Sequence, residues 1–128
     1  MGRESLEASL LQEMRRGTIV LCVLSHLDRP MYGYGLSARL SEEGLAVDQN
    51  TLYPLLRRLS SQGLLESRWD MSESKPRKYY LITDAGKALR ERLAAEWRSM
   101  SAAAERMIGQ ARQRMDGIDG DEDRKPLY

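Results

Sequence analysis

The chain has 128 residues, a formal net charge of +1, 41% hydrophobic and 30% charged residues, and a mean hydropathy of -0.56. That size suits one domain, or one domain with an appended helix. No apolar run approaches the ~20 residues that span a bilayer, and the N-terminus lacks the basic-then-apolar pattern of an export signal, so a cytoplasmic location is expected. One cysteine, Cys22, leaves no partner for an internal disulfide. One histidine, His26, lies in a mainly apolar segment, and no metal-ligand cluster, nucleophile–base pair or phosphate-binding glycine loop stands out. Neither catalysis nor a metal or cofactor is expected.

The first helical pattern runs from about Leu10 to Leu27. Its second half, from Thr18, is apolar nearly all round, which marks a helix in the middle of a core. Asp28-Arg29-Pro30 ends it, because the residue before a proline is pushed out of the helical region. After Met31-Tyr-Gly-Tyr-Gly35, Leu36 and Leu40 share one face of a short second helix that Gly44 stops. A turn over Leu45–Asp48 leads to a third helix, Gln49 to Gln62. Leu52, Leu55, Leu56 and Leu59 form its inward stripe. Pro54 belongs in the first turn of a helix, which sets the start near Asn50 or Thr51, either of which can cap it. Gly63 closes it.

Two strands are predicted next, Leu64–Trp69 and Lys78–Thr83, joined by the polar, turn-rich Asp70–Arg77 as a hairpin with a long tip. Thr83 caps a last helix over about Asp84 to Met115. Its apolar positions (Leu89, Leu93, Trp97, Met100, Ala104, Met107, Ala111, Met115) step by three or four. Beyond it an acidic, glycine-bearing tail is expected to be disordered. The fold class is therefore mainly α with a small β hairpin, a winged helix-turn-helix followed by a long C-terminal dimerisation helix. Residues 1–83 make the first part, 84–115 the helix and 116–128 the tail.

Charge is distributed unevenly. Arg57, Arg58, Arg68, Lys75, Arg77 and Lys78 outnumber Glu66, Asp70 and Glu73 between the third helix and the second strand, while the acids cluster after Asp116. In a helix-turn-helix the second helix of the pair enters the major groove and presents its N-terminal residues to base edges. Opposite the leucine stripe lie Asn50, Pro54, Arg57 and Ser61, flanked by Tyr53 and Arg58. Gln49, Asn50 and Thr51 stand where base contacts form, since Asn and Gln pair with adenine in two places. Arg57 and Arg58, a turn further on, suit phosphates. Lys75, Arg77 and Lys78 on the hairpin supply a second, salt-dependent contact. Tyr34 and Tyr53 suit half-buried packing or a DNA contact.

Arg15-Arg-Gly-Thr18, Met31-Tyr-Gly-Tyr-Gly-Leu36, Thr51-Leu-Tyr-Pro-Leu-Leu-Arg-Arg-Leu59, Gly63-Leu-Leu65 and Arg77-Lys-Tyr-Tyr-Leu-Ile-Thr83 followed by Gly86 resemble the PadR family of bacterial transcriptional regulators, over roughly residues 10 to 115. The single C-terminal helix, in place of a larger C-terminal domain, resembles the compact subfamily. The resemblance implies a homodimeric repressor that binds double-stranded operator DNA and is released by a small molecule. In multidrug-sensing members a tryptophan of the C-terminal helix and its dimer mate sandwich flat aromatic compounds. Trp97 falls at the matching place, with Leu93, Glu96, Met100 and Ser101 around it; as part of the apolar stripe of its helix it suits equally an anchor of the dimer interface. Two departures stand out: Gly35 occupies a place where a bulkier residue is common, and Asp70-Met-Ser-Glu-Ser74 is more acidic than a DNA contact favours. The competing function is a winged helix that binds protein rather than DNA.

Overall fold

The computed structural model describes residues 2–117. The core forms where the apolar part of the first helix meets the two leucine stripes. α1 (Arg3–His26) is followed by β1 (Met31–Tyr32), α2 (Gly33–Glu42) and α3 (Gln49–Ser61). Then come β2 (Leu65–Asp70), β3 (Arg77–Ile82) and α4 (Asp84–Asp116). Val23, Leu24 and Leu27 from the α1 end, Leu36 and Leu40 of α2, and Leu52 and Leu56 of α3 are fully or almost fully buried. Leu55 and Leu59 complete the α3 stripe. Interlocked burial of this kind stabilises by roughly 1.5–3 kcal/mol per large side chain. It decides which face of each helix is left outside.

Both short helices end as the glycines require. Gly44 and Gly63 adopt φ of 95° and 79°, a left-handed conformation that costs other residues about 1 kcal/mol or more. Leu45 N–H then reaches Leu40 O at 2.8 Å, and Leu64 N–H reaches Leu59 O at 3.0 Å. The start of α3 differs from expectation. Asp48, not Asn50 or Thr51, is the cap, its carboxylate accepting from the Asn50 N–H at 3.0 Å. Pro54 consequently sits inside the helix rather than in its first turn. The carbonyl that it deprives of a donor belongs to Asn50, an exposed residue, and water can serve that oxygen.

The hairpin is as expected, with Leu65 opposite Ile82 and Asp70 opposite Arg77. A third strand joins it. β1 pairs antiparallel with β3, Met31 with Tyr80 and Tyr32 with Tyr79, giving the order β1-β3-β2. The Tyr-Gly-Tyr-Gly segment is therefore part strand, part helix: α2 starts at Gly33, three residues before the predicted Leu36. α1 likewise begins at Arg3, ahead of the predicted Leu10, and residues 3–17 are exposed.

Thr83 caps α4, as its position predicts. Its hydroxyl accepts from the Gly86 N–H at 3.0 Å and donates to the Gly63 carbonyl at 2.7 Å. Arg90 of α4, only 19% exposed, pairs with Asp28 at 2.8 Å. The chain divides into two units after Leu93, so the first ten residues of α4 belong with the core and the remainder forms the second unit. In that second unit Trp97, Met100, Met107, Ile108 and Met115 are exposed. Asp116 still belongs to α4; the rest of the expected tail, from 118 onward, lies outside the described residues. Among the described residues no helix is long and apolar enough to cross a membrane.

Candidate nucleic-acid interface

With Leu52, Leu55, Leu56 and Leu59 turned into the core, α3 leaves Gln49, Asn50, Thr51, Arg57 and Arg58 exposed. Gln49 to Thr51 form its first turn, just past the Asp48 cap. Their side chains are free of the packing that holds the opposite face. Tyr53 is half-buried, and its ring lies directly against Gly33 at the start of α2. A side chain at position 33 has no room there, so this glycine permits α2 and the tyrosine to meet. Tyr34, the next residue, is 72% exposed.

Tyr32, Tyr34, Tyr53 and Tyr80 line an open cleft of about 650 Å³, with Gly33, Gly35, Arg77 and Lys78. Four of the residues expected from sequence thus come together: Tyr34, Tyr53, Arg77 and Lys78. Among the described residues, neither Asp nor Glu lines the cleft. Lys78 Nζ sits 5.7 Å from the Trp69 ring centre and 5.9 Å from that of Tyr80, close enough for the rings to orient the ammonium. Burial raises the Tyr80 hydroxyl above its ordinary pKa of 10.0, opposed by the Arg57 charge and reinforced by Tyr53. It therefore stays a neutral donor beside those cations. Arg77 extends over the Tyr32 ring at 5.5 Å and reaches Glu73 at 3.3 Å. Lys75 is exposed on the tip, outside the cleft.

Thr51 also lines a second groove, of about 450 Å³, with Asp48, Arg15, Arg16 and Ile19 among its walls. Arg15 Nη2 donates to the Ala46 carbonyl at 2.5 Å, which ties α1 to the turn before α3. Sequence reasoning did not find Tyr32, Trp69 or Tyr80. For Tyr80 a signal existed, because a strand puts residues 78 and 80 on the same side. Tyr32 carried none, since its place depends on a strand pairing more than forty residues away.

The residues expected around a small molecule fall in both units. Leu93 packs partly buried against the core of the first. Glu96, Trp97 and Met100 are exposed in the second, where Ser101 is half-buried. His26 has a structural place: Nδ1 lies 2.8 Å from the Cys22 carbonyl and Nε2 lies 3.0 Å from Glu43, which joins the ends of α1 and α2. Burial, with the Glu43 charge, raises the Cys22 thiol above its ordinary 9.0, which favours the protonated form.

Comparison with known proteins agrees with this geometry. The profile of the "Transcriptional regulator PadR-like family" matches residues 20–92. A transcriptional regulator of Mycobacterium tuberculosis is 33% identical over 100 residues, covering 77% of this chain and 91% of that protein. The crystal structure of a PadR family transcriptional regulator from Eggerthella lenta is 45% identical with a TM-score of 0.76, covering 82% of this chain and 94% of the other. A PadR-like regulator from Bacillus cereus is 31% identical with a TM-score of 0.67, over 75% and 96% of the two chains. The α1–α2–α3 core, the sheet behind its hairpin and the long terminal helix are thus a winged helix, and the chain belongs to the PadR-like family of transcriptional regulators.

Proposed function

We propose that this regulator binds operator DNA as a homodimer and represses the genes beside the operator. In this reading residues 1–83 contact DNA and the helix over 84–115 joins the two copies. The observation that carries it is the pairing of an exposed α3 edge (Gln49, Asn50, Thr51, Arg57, Arg58) with a cleft that holds Arg77 and Lys78 and that no Asp or Glu among the described residues lines. Gln49 to Thr51 contact base edges in the major groove, and Arg57 and Arg58 hold phosphates. Tyr34 and Tyr53 contact the backbone from the cleft wall, while Lys75, Arg77 and Lys78 run along the duplex from the wing.

Dimerisation is supported by apolar side chains that one copy leaves uncovered, Trp97, Met100, Met107 and Met115 on α4 and Leu6, Leu10, Leu11 and Met14 on α1. A two-fold axis beside α4 brings Trp97 and its symmetry copy together, and two indoles can stack a planar aromatic effector between them. In this reading Glu96, Met100 and Ser101, on the same stretch of helix as Trp97, supply the neighbouring contacts.

The test is a mobility shift on the DNA upstream of the gene, repeated at rising salt. Affinity should fall steeply, and Arg57→Ala and Lys78→Ala should each lower the slope of log affinity against log salt by about 1. Binding that ignores both salt and these substitutions would instead favour a protein-interaction module.

A further inference from the structure

Tyr32 and Asp70 come from the two outer strands of the sheet, with β3 between them. Even so, the Tyr32 hydroxyl donates to Asp70 Oδ2 at 2.5 Å. The tyrosine ring reaches across β3 to do this, with the Arg77 guanidinium 5.5 Å from its centre and the Tyr79 ring edge-on at 6.3 Å. The other carboxylate oxygen, Oδ1, accepts from Ser72 N–H at 3.0 Å and from Ser72 Oγ at 2.6 Å. Asp70 is the last paired residue of β2, and Ser72 is the second residue of the tip. One carboxylate thus ties the opening turn of the wing tip to the opposite edge of the sheet.

The tie continues toward the DNA-reading helix. Tyr32 is the residue from which α2 starts, and Gly33, next to it, receives the ring of Tyr53 from α3. An unbroken line of contacts runs from α3 through Tyr53, Gly33 and Tyr32 to Asp70 and the wing tip. We propose that Tyr32 and Asp70 form a latch that holds the wing at a fixed angle to α3, so that Lys75, Arg77 and Lys78 meet DNA already ordered. Both are positioning residues. The proposal rests on the DNA-binding reading above.

The physical gain is that ordering is completed before binding. A hairpin tip free to move loses that freedom when it docks, and the loss subtracts from affinity. Asp70 shows the consequence most clearly. Counted as a charge, it repels phosphates, and its removal should tighten binding. Counted as a latch, its removal should weaken binding. The two accounts differ in sign.

The experiment measures affinity for a fluorescein-labelled duplex of arbitrary sequence at low salt, together with amide hydrogen exchange of residues 70–78 in the DNA-free protein. Asp70→Asn removes the charge with little change of shape, Tyr32→Phe removes the hydroxyl with no change of charge, and Glu73→Gln removes a neighbouring acid outside the latch. Asp70→Asn and Tyr32→Phe should each weaken binding about three- to tenfold, the worth of an ordinary hydrogen bond. Both should speed exchange in the wing. Glu73→Gln should bind as well as the parent or better, with exchange unchanged. Tighter binding by Asp70→Asn with unchanged exchange overturns the latch. If the parent protein binds no duplex, the DNA reading fails instead, and the exchange comparison still decides whether the latch exists.

Discussion

Replacing Gly86 by alanine separates two physical effects of opposite sign. Helix propensity alone favours the change, because alanine is better than glycine within a helix by about 1 kcal/mol. Packing opposes it. Gly86 is buried in the first turn of α4, where an added Cβ would overlap the Leu64 carbonyl oxygen and come within 2.7 Å of Ile82 Cγ1. The isoleucine can shift, but the carbonyl is held: it accepts from Thr83 N–H at 3.1 Å. Thr83 is itself the α4 cap, bonded to Gly86 N–H and to the Gly63 carbonyl. Relief must therefore come from moving a hydrogen-bonded backbone or from losing the cap, each worth about 1 kcal/mol. Overpacking at such sites costs about 1–3 kcal/mol, so after the propensity gain is subtracted the net loss is about 1 and at most about 2 kcal/mol, and melting should fall by roughly 3–10 °C.

Urea unfolding is the assay, at one fixed protein concentration because association would make the apparent stability depend on it. Gly17→Ala provides the matched control. That position is exposed within α1, and nothing lies within 4 Å of its added Cβ, so the propensity gain of up to about 1 kcal/mol should appear undiminished. A Gly86→Ala protein as stable as the parent, or more stable, would refute the close-packing argument.

If the proposed dimer forms and takes a planar ligand, Trp97→Ala should leave it intact in sedimentation while abolishing the binding of a planar dye; loss of the dimer would mark Trp97 as an interface anchor instead. The latch should respond to pH at both extremes. Hydrogen bonds from Ser72 and Tyr32 hold the Asp70 carboxyl down from 3.8 to about 2, so its contribution is complete above about 3.8 and disappears as pH falls through about 2. The Tyr32 hydroxyl is raised above 10.0 by its bond to Asp70, so the neutral donor is favoured and the contribution is lost only above that value. Wing exchange, corrected for the intrinsic effect of pH, should therefore be flat from about pH 4 to 10, and a transition near pH 6 would contradict the assignment.

How much was legible depended on how local the cause was. The leucine stripe of α3 fixes its own inward face, and Gly44, Gly63 and Thr83 terminate or begin helices through bonds to residues at most a few positions away, apart from the Thr83 bond to Gly63. Pattern reading finds such features. Pro54 misled it because the preference of proline for a first turn is only an average. The Asp48 cap outweighs it here, at an exposed Asn50, and the helix begins earlier. Strand β1 was beyond reach for another reason. Two residues contain no alternation to read, and only pairing with Tyr79 and Tyr80 makes them a strand.

The exposed edge of α3 was legible for the same reason as its buried one, since a helix with one face committed to the core can offer only the other. The wing was not. Its sequence gives Asp70 and Glu73 the same charge and similar surroundings, and a count of charges treats them alike. Their geometry does not: Glu73 meets one arginine at the surface, whereas Asp70 accepts three hydrogen bonds that connect a strand, a tip and the opposite sheet edge. The difference comes from Tyr32, whose hydroxyl arrives from thirty-eight positions away. In the proposed latch, a residue that looks unfavourable for DNA by charge would serve it through position. That distinction lies in tertiary pairing, which no local window of the sequence contains.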